Sequence, residues 1–156
     1  MRKEKEKIRT QIAKSLEVYK NKSGFTFFES NKFDFEPYSF GLDNNDIEVL
    51  LMKLNKSDFI LLTTKSLFIR QNNVETKIDG TEIDSFDFDN LKSGKNKKAE
   101  FDNLTNFKSW LYSGDFRITT KDRDEKVVNL PHHDFGFCLF NAIKKLKFVT
   151  DKYVGI

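Results

Sequence analysis

The residues with the most obvious chemistry lie in LPHHDFGFCLFNAIKKLKF, residues 130–148. His132, His133, Asp134 and Cys138 fall within seven positions. Imidazole, carboxylate and thiolate are the ligand types of a zinc site, and a Cys–His pair is the heart of one kind of nucleophilic site. A zinc site needs three or four ligands converging on one point. Adjacent residues of a regular backbone point in different directions, which sets His132 against His133. The chain has no other His, and no second ligand cluster is evident. Cys138 falls among apolar residues, where a small buried hydrophobe is expected, whereas a nucleophilic thiol must reach solvent. The stretch therefore reads as a helix entrance, with no catalytic residue, no metal and no cofactor.

The segment that positions these residues has a clear helical period. Phe135, Cys138, Leu139, Ala142, Ile143, Leu146 and Val149 recur at intervals of three and four. That predicts a helix of roughly four turns with a broad apolar stripe. Pro131 ends whatever strand precedes it, because it has no N–H to donate. Asp134 suits a cap or first-turn acid, and Lys144, Lys145 and Lys147 suit the C-terminal half of the helix dipole.

A second helix is predicted over residues 3–21, where Ile8, Ile12, Leu16 and Tyr19 form a narrow stripe and Gly24 follows. A helix docked on its own domain is the expectation, with a partner-binding or dimer helix as the alternative. In residues 25–42, Phe33 and Phe35, then Tyr38, Phe40 and Leu42, alternate with polar residues, and Pro37 places this extended segment at an edge or a break. DIEVLLMKL, 46–54, fits both a helix stripe and a strand face.

Strand character follows. DFILLTT (58–64) is apolar on both faces. SLFIR comes after a tight connection at Lys65. QNN (71–73) is a turn, VETKI alternates, DG at 79–80 turns again, and SFDFD alternates Phe86 and Phe88 with acids. NLKSGKNKKAEFDNLTN is polar and Lys-rich, and reads as a long loop with a mobile tip. FKSWLYSGDFRITTKDRDEKVVNL returns to strand character, with KDRDEK as a turn and VVNL as the return strand.

Bulk properties narrow the function classes. A length of 156 residues suits one domain. Apolar residues make up 38% and charged residues 33%, against disorder, and 17 Phe supply large apolar area. A net charge of +3 is too small to mark a nucleic-acid binder. One Cys excludes an internal disulfide. The first residues carry mixed charge, and no apolar run is long enough for a bilayer, so a cytoplasmic protein without a transmembrane segment is expected.

The order of strands, the corner TTKSL in DFILLTTKSLFIR, the turn ETKIDGTEIDSFDF, the hairpin and the closing helix resemble the bacterial pleckstrin-homology-like domains. The resemblance covers about residues 46–149, and Ser66 stands where that family commonly has Arg. It implies an α+β fold: a bent antiparallel sheet or partly open barrel closed by the C-terminal helix, with residues 46–54 as a strand. Residues 1–45 would be an added helix and Phe-rich extension, and 150–156 a tail. It also implies a non-enzymatic binding module that recognises another protein, in an adaptor, inhibitor or immunity-type role.

The alternative is an anionic lipid headgroup or membrane surface, met by Lys92, Lys95, Lys97 and Lys98 with Lys65 and Arg70. Asp84, Asp87 and Asp89 alternate with Phe as the wet face of a strand, and no phosphate loop or nucleophile elbow occurs. Nucleic acid is not an expected partner, since aromatic and basic residues do not interleave on one strand.

Overall fold

The computed structural model describes residues 2–28, 42, 46–94 and 97–153. The fold is α+β, with two open antiparallel sheets of five and three strands, an N-terminal helix and a C-terminal helix. Neither sheet closes into a barrel. The chain divides into two compact units, residues 1–81 with 142–156, and residues 82–141.

In the first unit, α1 (Arg2–Ser15) runs into a short 3-10 turn, and then β1 (Phe25–Phe27) begins the sheet. The narrow stripe buries as its spacing requires: Ile8, Ile12, Leu16 and Tyr19 are all buried. Tyr19 stacks on Phe25 with ring centroids 5.6 Å apart. Gly24 sits at φ +90°, a backbone state that an L side chain rarely adopts, and delivers the chain into β1.

The sheet continues in sequence order through β2 (Glu48–Lys53), β3 (Phe59–Thr63), β4 (Ser66–Gln71) and β5 (Val74–Asp79). The 46–54 ambiguity is resolved as a strand, which is buried at every position except Lys53. The register lines up Leu51, Leu61 and Phe68 on one face. On the other face it lines up Met52, Ile60 and Ile69, and next to them Leu50, Leu62 and Leu67. Both faces are apolar, so β3 reads as a continuous hydrophobic run. Phe28, Leu51, Phe59, Leu61 and Phe68 form a buried cluster against which Leu42 packs. Asn72 and Asn73, at φ 54° and 63°, make the two-residue turn between β4 and β5. The alternating segment anticipated over 25–42 is seen as β1 at its start, whereas Phe33, Phe35, Tyr38 and Phe40 lie outside the described residues.

The second unit holds β6 (Ile83–Phe88), β7 (Gly114–Thr120) and β8 (Glu125–Leu130), paired in that order. Between β6 and β7 lie α2 (Asp89–Ser93), a 3-10 turn at Lys98–Glu100, and α3 (Leu104–Leu111). This corrects the expectation of a plain loop followed by a strand. The side chain of Asn103 caps α3 by accepting from the Asn106 N–H at 2.8 Å. Leu104, Phe107, Lys108 and Leu111 then fall at helical spacing, so cap and period outweigh the β preference of the aromatics. The proposed mobile tip, at Lys95 and Asn96, lies outside the described residues.

α4 (His133–Lys152) gives residues 133–141 to the second unit and the rest to the first. All seven residues of its expected stripe are buried. Within the second unit, Phe140 packs on Phe86 and Phe88 at 5.1 and 5.9 Å, and Phe88 meets Phe116 edge-on at 4.9 Å. Within the first, Gly80 lies against Leu146 and Thr150 of α4.

Candidate functional site

The entrance of α4 is built at a boundary between two backbone states. The His132 carbonyl accepts from Phe135 N–H at 3.1 Å and Gly136 N–H at 3.3 Å, which makes His132 the cap residue. Its Nδ1 accepts from Asp134 N–H at 3.1 Å, so the capping side chain is an imidazole and Asp134 serves as the first-turn acid. His132 precedes the helix and His133 begins it. Because the backbone changes course between them, their rings do not diverge: the centroids are 4.2 Å apart at 30°. Both rings face one carboxylate. His132 Nδ1 is 3.5 Å from one oxygen of Asp134, and His133 Nε2 is 3.7 Å from the other. The argument that adjacent histidines must point apart holds inside an element and fails at this junction.

Cys138 is fully buried. Burial pushes its thiol well above the ordinary range, and the charge of Asp134 adds to the effect. It belongs to the apolar stripe and is not an activated nucleophile. The three acids near β6 are engaged within the second unit. Asp89 takes two hydrogen bonds from Arg117, at 2.9 and 3.2 Å, which hold its carboxyl below the ordinary value. Arg117 also reaches Glu125 at 2.8 Å. Asp84 pairs with Arg123 at 3.3 Å, and Asp87 accepts from Phe88 N–H.

The basic residues are divided between the two units. Lys65 lies between β3 and β4, while Arg70 is near the far end of β4, some 17 Å away at the usual rise of a strand. Arg70 covers the Phe59 ring at 5.9 Å and faces Glu75 at 3.9 Å. In the second unit Lys92 and Lys98 are exposed and Lys97 pairs with Glu100 at 3.6 Å. Lys95 lies outside the described residues.

Two features were not anticipated from the sequence. One is a buried polar corner in the first unit. Asp46 accepts from the hydroxyls of Thr63 and Thr64, each at 2.9 Å, and Ser66 donates to Asp79 at 2.6 Å. Lys5 of α1 is buried as well. Burial raises the Asp46 carboxyl above its ordinary value, against the threonine hydrogen bonds and the Lys5 charge. Burial lowers the Lys5 ammonium, and Lys65 lowers it further. The Thr63, Thr64 and Ser66 hydroxyls each have their acceptor within the fold, so the corner reads as a structural clamp. The signal in the sequence was faint: an Asp just ahead of a strand and a Thr-Thr pair at a corner.

The second feature is an aromatic cluster on and beside α3. Phe101, Phe107 and Trp110 lie 5.5 to 6.4 Å apart, centroid to centroid, and all are partly buried. Leu104 beside them is 50% exposed, and α3 has no buried residue at all. Asn90 fixes the helix end by donating to the carbonyls of Trp110 and Ser113 at 2.8 and 3.1 Å. The result is a held aromatic cluster, partly open to solvent, with Leu104 as its exposed member. A periodic run of aromatics on a capped helix was the available signal, and the strand reading concealed it.

A groove of about 430 Å³ in the first unit is lined by Glu6, Arg9, Lys14 and Phe27 among others, with charges of both signs and no convergent set of one chemistry. Among the described residues, no helix is long and apolar enough to cross a membrane. In comparisons with known proteins, no family model, curated protein or solved structure matches the chain.

Proposed function

We propose that the chain is a non-enzymatic recognition module whose partner is another protein. The observation that carries this reading is the partly exposed aromatic cluster of Phe101, Phe107 and Trp110, with the exposed Leu104 beside it on α3. Aromatic anchors, Trp above all, dominate protein interfaces, because each offers a large area with few rotamers to freeze. Isolated exposed hydrophobes are ordinary, but a contiguous aromatic group on a helix with nothing buried is a patch. The resemblance to pleckstrin-homology-like domains supports the same reading, since that family presents loops and edges to its partners.

The test is affinity capture from the source cells with wild-type chain and with Trp110→Ala and Leu104→Lys as baits. A partner held through this cluster is retained by wild type and lost from both variants. A loss of at least 2 kcal/mol, or about thirtyfold in affinity, is the expectation for a hot-spot aromatic. Far-UV circular dichroism checks that the variants keep their fold. Equal capture by all three baits refutes the reading. The alternative, an anionic membrane surface, has weaker support, because Lys97 is paired with Glu100 and Lys65 and Arg70 lie far apart. Flotation with anionic vesicles that is abolished by charge reversal at Lys92 and Lys98 would favour it instead.

A further inference from the structure

We propose that His132, His133 and Asp134 form a three-ligand site for a borderline divalent transition cation, with Zn²⁺ as its first representative. The three residues each offer one ligand atom, and these atoms lie within 4.8 Å of one another. In a tetrahedral zinc site with bonds of about 2.0–2.2 Å, neighbouring ligand atoms are about 3.4 Å apart. His132 Nδ1 lies 3.5 Å from one oxygen of Asp134 and His133 Nε2 lies 3.7 Å from the other, each close to that edge length. Convergence on one ion requires the Asp134 carboxylate to turn so that a single oxygen serves both imidazoles.

The rings are also held in place. His133 meets Phe137 edge-on at 5.8 Å, and Phe137 rests on Tyr112 at 4.6 Å. Asp134 N–H donates to His132 Nδ1, so a metal at that nitrogen must displace this hydrogen bond, and Nε2 is the other ligand atom of the ring. Two imidazoles with a single carboxylate favour zinc, nickel or copper over calcium or magnesium, which require several oxygen ligands. The positive end of the α4 dipole opposes a cation here, and the Asp134 charge offsets it. With His132 54% exposed, the remaining coordination positions fall to water.

The chain contains no other His and one Cys, so its binding is easily assigned. The experiment uses full-length chain without an affinity tag, stripped with a chelator and titrated with Zn²⁺ by calorimetry and with Co²⁺ by visible absorption. One equivalent is expected to bind, with no sulfur-to-cobalt charge-transfer band. His132→Ala, His133→Ala and Asp134→Asn should each weaken binding at least tenfold while the metal-free chain still melts cooperatively, a few degrees lower where the α4 cap or first-turn acid is lost. Mg²⁺ and Ca²⁺ should not compete. Absence of saturable binding overturns the proposal, as does binding that survives in the doubly substituted His132→Ala/His133→Ala chain or a spectrum showing thiolate ligation.

Discussion

Replacing Gly136 with alanine is the sharpest test of how the α4 entrance is packed. In an exposed helix this change is favourable by up to ~1 kcal/mol, because glycine carries more backbone entropy to lose. Here a methyl group at Gly136 would overlap the carbonyl oxygen of Tyr112 and would fall 2.8 Å from the Phe88 ring and 3.0 Å from the Tyr112 carbonyl carbon. Ordinary carbon–carbon contact is about 3.5–4.0 Å, so α4 must retreat by roughly 0.7 Å or more. The obstacle is backbone just past α3, which Asn90 ties down, and no side-chain rotation relieves it. Overpacking of a rigid core costs about 1–3 kcal/mol, occasionally more, and the upper end applies here. After the helix gain is subtracted, a net loss of about 2 kcal/mol is expected.

Gly80→Ala meets Thr150 and Leu146 side chains, which can yield in part, and Gly94→Ala meets the far end of Leu111 and, less closely, the Trp110 ring. The order of destabilisation should therefore be Gly136, then Gly80, then Gly94. Urea denaturation followed by fluorescence of Trp110, the only Trp, reads the second unit directly. With a slope of about 1–3 kcal/mol/M, the Gly136→Ala midpoint should fall by about 1 M. A midpoint equal to or above that of wild type refutes the account of this contact, as does a larger loss at Gly94.

Asp46 sets a pH dependence whose sign follows from its environment. Burial raises its folded value above the ordinary 3.8, so the native state holds the proton to higher pH than the unfolded chain. Its contribution is fully present below about pH 3.8 and is lost as pH rises through the folded value. Asp46→Asn, which still accepts a hydroxyl hydrogen bond, should gain stability relative to wild type across that window and hold the gain above it. A wild-type-minus-variant difference that stays flat from pH 3 to 7 in urea titrations rules this out. Cys138 should resist alkylation in the native chain and react at once in denaturant, because it is buried and its thiol is held protonated. Rapid native labelling with iodoacetamide would show the stripe to be open. Cys138→Ser buries a hydroxyl in its place and should cost about 1–3 kcal/mol, read as a midpoint shift.

What the sequence made legible is the periodic part of the fold. The α4 stripe from Phe135 to Val149 and the alternation in β6 and β7 could be read directly, because each residue there has its environment set by neighbours at fixed spacing. The features from which a function is proposed sit where the period breaks. α3 was hidden because Phe107, Trp110, Leu111 and Tyr112 fit a strand as well as a helix, and Asn103, a single cap, decided the matter. The Asp46 corner was hidden because it joins residues 17 and 18 positions apart, along with a lysine from another element, and no local pattern encodes such a meeting. His132 and His133 were set apart by a rule for regular backbone, and they meet because one residue is a cap and the next is helical. A boundary frees neighbouring side chains from the geometry that would separate them, and it leaves them partly in water, where a ligand can reach them. On physical grounds, then, the helix entrance and the capped helix α3 are better places to look for activity in this chain than any of its strands.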